Sequence, residues 1–392
     1  MAQELSVAIV GTGFLARTRA RCWSRVHGGP LRVLVASREG SRAAAFAAQH
    51  PGVQALALEQ VFVDPAVQLV DLCVPNHRHR ELCERAARAG KAVLCTKPLA
   101  AWHGQELPAG ADPAAFDRVA MLRLAVAEAD AMVRACAAAR VPLFYGENWL
   151  FAPAVQRAAA LSAASGGMVL EMRGGESHSG SHAAYARDWR QAGGGALLRL
   201  GAHAIGAMLW LKRREGLRRC GVPTRVVAVV GEVADLSAAA AAAGVPSDLA
   251  GGWQGVENWG SCVLHFSDGT RGVAFGSDNL LGGMESRLSL YGSNHRLECS
   301  LSPHDQLRAY AVRDGGFGSE YLMEKLHGQA GWSTPLPDED GSSGQQGLLQ
   351  AVADALRTGQ PLDADGALGA AVVRVVYAAY ASAATGRRVT LD

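Results

Sequence analysis

The first residues whose spacing could do chemistry lie near the start of the chain. The β-branched, apolar run Ser6-Val7-Ala8-Ile9-Val10 leads into Gly11-Thr12-Gly13-Phe14-Leu15-Ala16. Gly11 permits a tight turn, Gly13 lets a diphosphate approach the backbone, and Ala16 is small enough for close helix–strand packing. The N–H groups that open the following helix, over Thr12 to Leu15, have no partner within the helix. They can hold an anion, and the helix dipole adds ~0.3–1 kcal/mol per charge. The expected occupant is a dinucleotide. The second strand, 31–36, ends at Ser37-Arg38. An acid at that place would accept from the ribose 2′-OH of NAD. A hydroxyl and a guanidinium suit a 2′-phosphate instead. NADP(H) is therefore the preferred cofactor, with NAD(H) possible; the plainer alternative makes Arg38 a solvated loop arginine.

A second group of polar residues, Glu176-Ser177-His178-Ser179-Gly180-Ser181-His182, follows a strand-like run. So many polar groups are costly to bury unless paired. They either read substrate hydroxyls or form a solvated loop. No cysteine or further carboxylate stands at ligand spacing from His178 and His182, so no metal is expected. Trp149, Tyr185, Trp189 and Trp253 could line a sugar-sized pocket or fill the core. Asn148 and Trp149, where the last strand of the first half exits, join His178, His182 and Arg199 as substrate-side candidates.

The elements that position these residues alternate. Strand-like runs at 6–10, 31–36, 55–57, 69–74, 92–95 and 141–145 are separated by helical stretches, which predicts a parallel, doubly wound sheet. Ligands bind such sheets at the carboxyl ends of the strands. Gly11, Ser37, Pro75-Asn76 and Thr96-Lys97 all fall there. Arg17, Arg19, Arg21 and Arg25 are expected on the solvated side of the first helix, and 101–116 reads as a surface insertion. After residue 148 the pattern changes to strands joined by short links such as Ser267-Asp268-Gly269, a hairpin signal. The fold class is α/β: a doubly wound domain over 1–148, then an α+β domain over 149–392 with a large, mostly antiparallel sheet. A helix at 344–358 is expected to pack back toward the first domain.

Composition sets the outer bounds. The chain has 392 residues and a formal net charge of +2, too small to point to nucleic acid or a membrane surface. No run of 18 apolar residues is present, and the first strand starts too early for a signal peptide. The eight cysteines are scattered and form no C-x-x-C pair, so they read as reduced core thiols. A cytoplasmic protein acting on a small molecule is the expectation.

Taken together and in order, these pieces resemble the glucose–fructose oxidoreductase / inositol dehydrogenase / rhizopine-catabolism (Gfo/Idh/MocA) family. The matching residues are Gly11 and Gly13, Pro75-Asn76 with His79, Thr96-Lys97-Pro98, Gly193-Gly194-Gly195 with Gly201 and His203, and the final helix and strand from Tyr377 to Val389. The resemblance implies an NAD(P)-dependent oxidoreductase of sugars, cyclitols and related alcohols, a homodimer or homotetramer built through the C-terminal sheet. It implies that Lys97 holds the reacting oxygen and helps move its proton, that His203 is the second catalytic residue, and that His79 lies near the nicotinamide. Read as a bare residue, His79 is equally a helix-start hydrogen-bonder. Redox-assisted elimination or hydrolysis and a non-catalytic NADP(H) sensor are the alternatives.

Two departures from the family pattern carry consequences. Thr96 replaces an acid, which predicts a less negative surrounding for Lys97. Arg199 replaces an aspartate four residues before His203, so the usual Asp–His arrangement is absent. In a regular helix Arg199 and His203 share a face, and a guanidinium beside an imidazole disfavours imidazolium. An Arg199 facing the cleft favours a carboxylate or phosphate on the substrate; turned outward, it pairs with an acidic neighbour.

Overall fold

The computed structural model describes residues 4–391 except 109, 182, 303–305, 325 and 327. The candidate His182 lies outside the described residues. The first half runs β1 (Leu5–Val10), α1 (Phe14–Trp23), β2 (Leu31–Ser37), α2 (Gly40–Gln49), β3 (Val53–Ala57), α3 (Leu58–Val63), β4 (Leu69–Leu72), α4 (His79–Arg88), β5 (Ala92–Thr96), α5 (Arg118–Ala139) and β6 (Leu143–Gly146). Its strands lie in the order β3-β2-β1-β4-β5-β6, every pair parallel. The order in which strands are added reverses between β1 and β4, the crevice where doubly wound sheets bind ligands. Both faces are covered, so β1 and β4 are buried along their whole length.

The second half contains α6 (Pro153–Ala164), β7 (Val169–Ser177), α7 (Trp189–Ala192), α8 (Ala202–Cys220), β8 (Val226–Ala234), α9 (Ser237–Ala243), β9 (Trp259–Phe266), β10 (Arg271–Ser277), β11 (Glu285–Gly292) and β12 (Arg296–Ser300). The chain closes with β13 (Ala309–Ala311), β14 (Gly331–Ser333), α10 (Glu339–Ser342), α11 (Gln345–Thr358), α12 (Gly366–Thr385) and β15 (Val389–Thr390). The large sheet runs β12-β11-β7-β10-β9-β8-β15, antiparallel except for β7 with β10. Alternating buried and half-buried residues along β9 mark one face packed on helices and one open.

α11 does pack back on α1: Leu348, Leu349, Val352 and Ala353 share a core with Ala16, Ala20 and Trp23. The stretch Trp189–Cys220 and α12 are apolar and long enough to cross a membrane by composition, but they are mostly buried inside the fold as core helices.

Two expectations are corrected here. Arg19 is not on the solvated side of α1 but fully buried, its Nε 3.9 Å from the equally buried Asp71. The 101–116 stretch is not simply surface: Ala101, Trp102 and His103 are buried, and Trp102 N–H donates to the Tyr377 hydroxyl at 2.8 Å.

Candidate active site

A cleft of about 830 Å³ opens where the carboxyl ends of the parallel strands face the second sheet. Gly11, at one end, has φ +125°, and a Cβ there would overlap the Cys73 carbonyl oxygen. Only glycine fits this turn. Open space surrounds the place a Cβ of Gly13 would occupy, and Thr12, Phe14 and Leu15 line the same wall. The cradle and the open start of α1 fit a nucleotide diphosphate. Ser37, Arg38, Pro75, Asn76 and Thr96 continue this wall. Arg38 is exposed, and the next residue, Glu39, pairs with Arg42 at 2.8 Å. Asn76 Nδ2 donates to the Ala192 carbonyl at 2.7 Å, tying the wall to the glycine turn after α7.

His79 is not among the residues that line the cleft. Its buried ring lies 3.0 Å from the Pro98 carbonyl and 3.1 Å from the Val74 carbonyl. It ties the end of β4 to the turn after Lys97, the work of a helix-start hydrogen-bonder.

Another part of the cleft wall is built around Lys97, one residue beyond β5. Its Nζ donates to the main-chain carbonyl of Arg199. Burial holds the Lys97 ammonium below the ordinary lysine value, while Glu176 and Glu147 pull it the other way. Although Thr96 carries no charge, acids from β7 and from the end of β6 act on the amine.

His203 sits at the second residue of α8. Its Nδ1 is 2.6 Å from Glu147 Oε1, its Nε2 is 3.7 Å from Glu176 Oε1, and its ring stacks on Trp149 at 5.4 Å between centroids. Glu147 is fully buried and also accepts from the Trp149 N–H at 3.0 Å. Gly206, one turn along α8, leaves room for it; a Cβ there would lie 3.1 Å from Glu147 Cγ. A carboxylate at Nδ1 keeps the proton on that nitrogen and turns Nε2 to the cleft.

The glycines before His203 have a mechanical role. A Cβ on Gly195 would overlap the Glu257 carbonyl oxygen. The Glu257 carboxylate accepts from Gly195 N–H at 2.9 Å, Leu197 N–H at 3.0 Å and the Tyr380 hydroxyl at 2.8 Å. From this anchor, Leu197–Gly201 forms a π-turn that runs into α8. The wider turn breaks the spacing that would align residues four apart. Arg199 does not pair with the imidazole: its guanidinium is buried, faces the cleft and binds Asp278. An acidic neighbour was one of the two expectations, but the pair is formed inward.

Asn148 lines the cleft and donates to the Ser343 carbonyl at 2.6 Å. Trp149, His178 and Tyr185 also line it, whereas Trp189 is core and donates to the Trp102 carbonyl at 3.0 Å. Sequence reasoning missed Glu147 and Asp278 as partners of the candidate residues His203 and Arg199. Each follows a strand end, the one signal that pointed to them.

The fold and this geometry have counterparts. The sequence profile of an oxidoreductase family with an NAD-binding Rossmann fold matches residues 5–112, and the GFO/IDH/MocA C-terminal domain matches 158–298. The chain belongs to the GFO/IDH/MocA oxidoreductase family. Within it, D-apiose dehydrogenase of Paraburkholderia graminis is 32% identical over 157 residues, 38% of this chain and 34% of that protein. Levoglucosan dehydrogenase of Pseudarthrobacter phenanthrenivorans is 31% identical over 107 residues, 25% of this chain and 27% of that protein. The chain thus spans about a third or less of the length of these curated relatives. Among solved structures, GenD2 from gentamicin A biosynthesis in complex with NAD superposes with a TM-score of 0.79 at 25% identity, covering 100% of this chain and 97% of that one. Levoglucosan dehydrogenase with NADH and levoglucosan superposes at 0.72 with 20% identity over 99% of each chain, a likeness of fold.

Proposed function

We propose that this family member is an NADP(H)-preferring oxidoreductase that interconverts a sugar, cyclitol or related cyclic alcohol and its ketone. The observation that carries the reading is the meeting of Lys97 and His203 in one cleft wall, beside the glycine cradle, with Glu147 buried behind the imidazole and bonded to it. The nicotinamide, when bound, supplies the hydride chemistry. Lys97 binds the reacting oxygen and holds or takes its proton; an amine kept below its ordinary value by burial is suited to both. His203 presents Nε2 as the second proton-handling group, oriented by Glu147. General acid–base help of this kind is worth about 10²–10⁴-fold. Asn148, Trp149 and His178 bound the space for the substrate ring. The relatives named as dehydrogenases of D-apiose and levoglucosan support the sugar class.

The NADP preference rests on Ser37 and Arg38 at the ribose end of the cleft, although relatives of this fold are known with NAD and NADH. A cytoplasmic location and a homo-oligomer complete the reading. The open face of the large sheet carries half-buried Trp259, Val263, Val273 and Phe275, which a second copy would cover. The Glu147–His203 contact argues against a non-catalytic sensor, since it supplies the carboxylate that Arg199 had displaced. The test is turnover of NADP+ with a panel of cyclic polyols, followed by the absorbance of the reduced nicotinamide. Reduction with at least one polyol is expected. Tight cofactor binding with no reduction on any polyol would overturn the proposal.

A further inference from the structure

At the substrate end, a cation that would ordinarily recruit anions is already matched. Arg199 is 8% exposed and lines the cleft, and its Nη2 donates to Asp278 Oδ2. Its Nε is buried with no hydrogen-bond partner among the described residues. Asp278 is 1% exposed and follows β10 directly. Its own N–H donates to the Asn258 carbonyl at 2.8 Å, so the large sheet fixes the carboxylate in place. His178 Nδ1 lies 3.5 Å from the other carboxylate oxygen, and the guanidinium lies 5.7 Å from the centre of the Trp253 ring.

A bare guanidinium in a sugar-sized cleft recognises carboxylate or phosphate, because its fork of donors and its charge both fit. Here Asp278 cancels the charge while leaving donors that still fit a neutral oxygen. Lys97 also lines the cleft, and Glu176, Glu147 and Glu324 all act on it.

We propose that Asp278 is a specificity-determining residue that masks Arg199, so that the cleft accepts polyols without an acidic group and rejects sugar acids and sugar phosphates. The Arg199 guanidinium offers its remaining N–H groups to a substrate hydroxyl. This inference rests on the polyol reading of the site.

The test reads binding rather than turnover. The full chain, loaded with cofactor so that the diphosphate cradle is filled, is titrated calorimetrically with gluconate and with inorganic phosphate. The wild type is expected to bind both more weakly than about 1 mM. Asp278→Asn keeps the shape and removes the charge, and should tighten gluconate binding about tenfold, the equivalent of ~1.4 kcal/mol. The double replacement Arg199→Leu with Asp278→Leu removes cation and mask together and should show no such gain. Submillimolar binding of either anion by the wild type would overturn the proposal, as would an Asp278→Asn protein that folds, binds cofactor and gains nothing. If Asp278→Asn does not fold, Asp278→Ser takes its place in the same comparison, and the wild-type titration decides on its own. Failure of every polyol to turn over would undo the dehydrogenase reading and leave these binding results standing, so the two outcomes are distinguishable.

Discussion

Glu147 Oε1 lies 2.6 Å from His203 Nδ1, although the two residues are 56 positions apart and come from different halves of the chain. The carboxylate that orients the histidine thus comes from the end of β6, not from the turn before α8. Glu147→Gln keeps the volume but presents an amide to Nδ1. It is expected to lower kcat by about 10²-fold or more while leaving KM for cofactor unchanged. Glu147→Asp should recover part of the rate. Steady-state kinetics check this, and a Glu147→Gln rate near that of the wild type would leave Glu147 with a structural role only.

Lys97→Met is expected to remove most of kcat without weakening cofactor binding. It also carries a stability signature. Burial lowers the folded-state value of the amine, so between that value and the ordinary ~10.4 the unfolded chain binds more protons. The contribution of this group to stability therefore rises with pH across that window. Below it, the buried ammonium costs stability, so Lys97→Met should melt no lower than the wild type at neutral pH. Calorimetric melting across pH decides this.

The same group shapes the pH–rate profile. Alcohol oxidation needs the neutral amine, so its rate should rise with pH through the Lys97 value, below the ordinary lysine range. Ketone reduction needs the ammonium and should fall over the same span. Both limbs should vanish in Lys97→Met. Persistence of the limbs would assign them to another group.

Ser37→Asp with Arg38→Ala should reverse the cofactor preference, because an acid repels a 2′-phosphate and the pairing guanidinium is lost. Calorimetric titration with NADP+ and NAD+ measures it. Equal or tighter NAD+ binding by the unmutated protein would refute the preference.

Asp71 lies buried on β4, accepts from Trp23 Nε1 at 2.9 Å and stands against the buried Arg19 guanidinium. Removing the carboxylate leaves that cation uncompensated. Asp71→Ala is expected to lose about 3–5 kcal/mol in denaturant unfolding. A loss below ~1 kcal/mol would mean that Arg19 is solvated in the folded protein.

The sequence by itself determined the frame of this protein. The alternation of apolar runs and helical stretches set the parallel sheet, and Gly11, Ser37, Pro75 and Lys97 marked the strand ends that form one wall. These are local signals: a strand's period, a glycine's freedom, a turn after a β-branched run. Some features were decided only by tertiary structure. Arg19 looked solvated because its helix neighbours are arginines, yet α1 turns it onto the sheet against Asp71. Arg199 and His203 looked like one helical face, yet the anchoring of Gly195 and Leu197 by Glu257 imposes a wider turn. The partners that settle the site, Glu147 for His203 and Asp278 for Arg199, are 56 and 79 residues distant. No spacing rule reaches so far, because a charge finds its partner through the packing of two sheets and not along the chain.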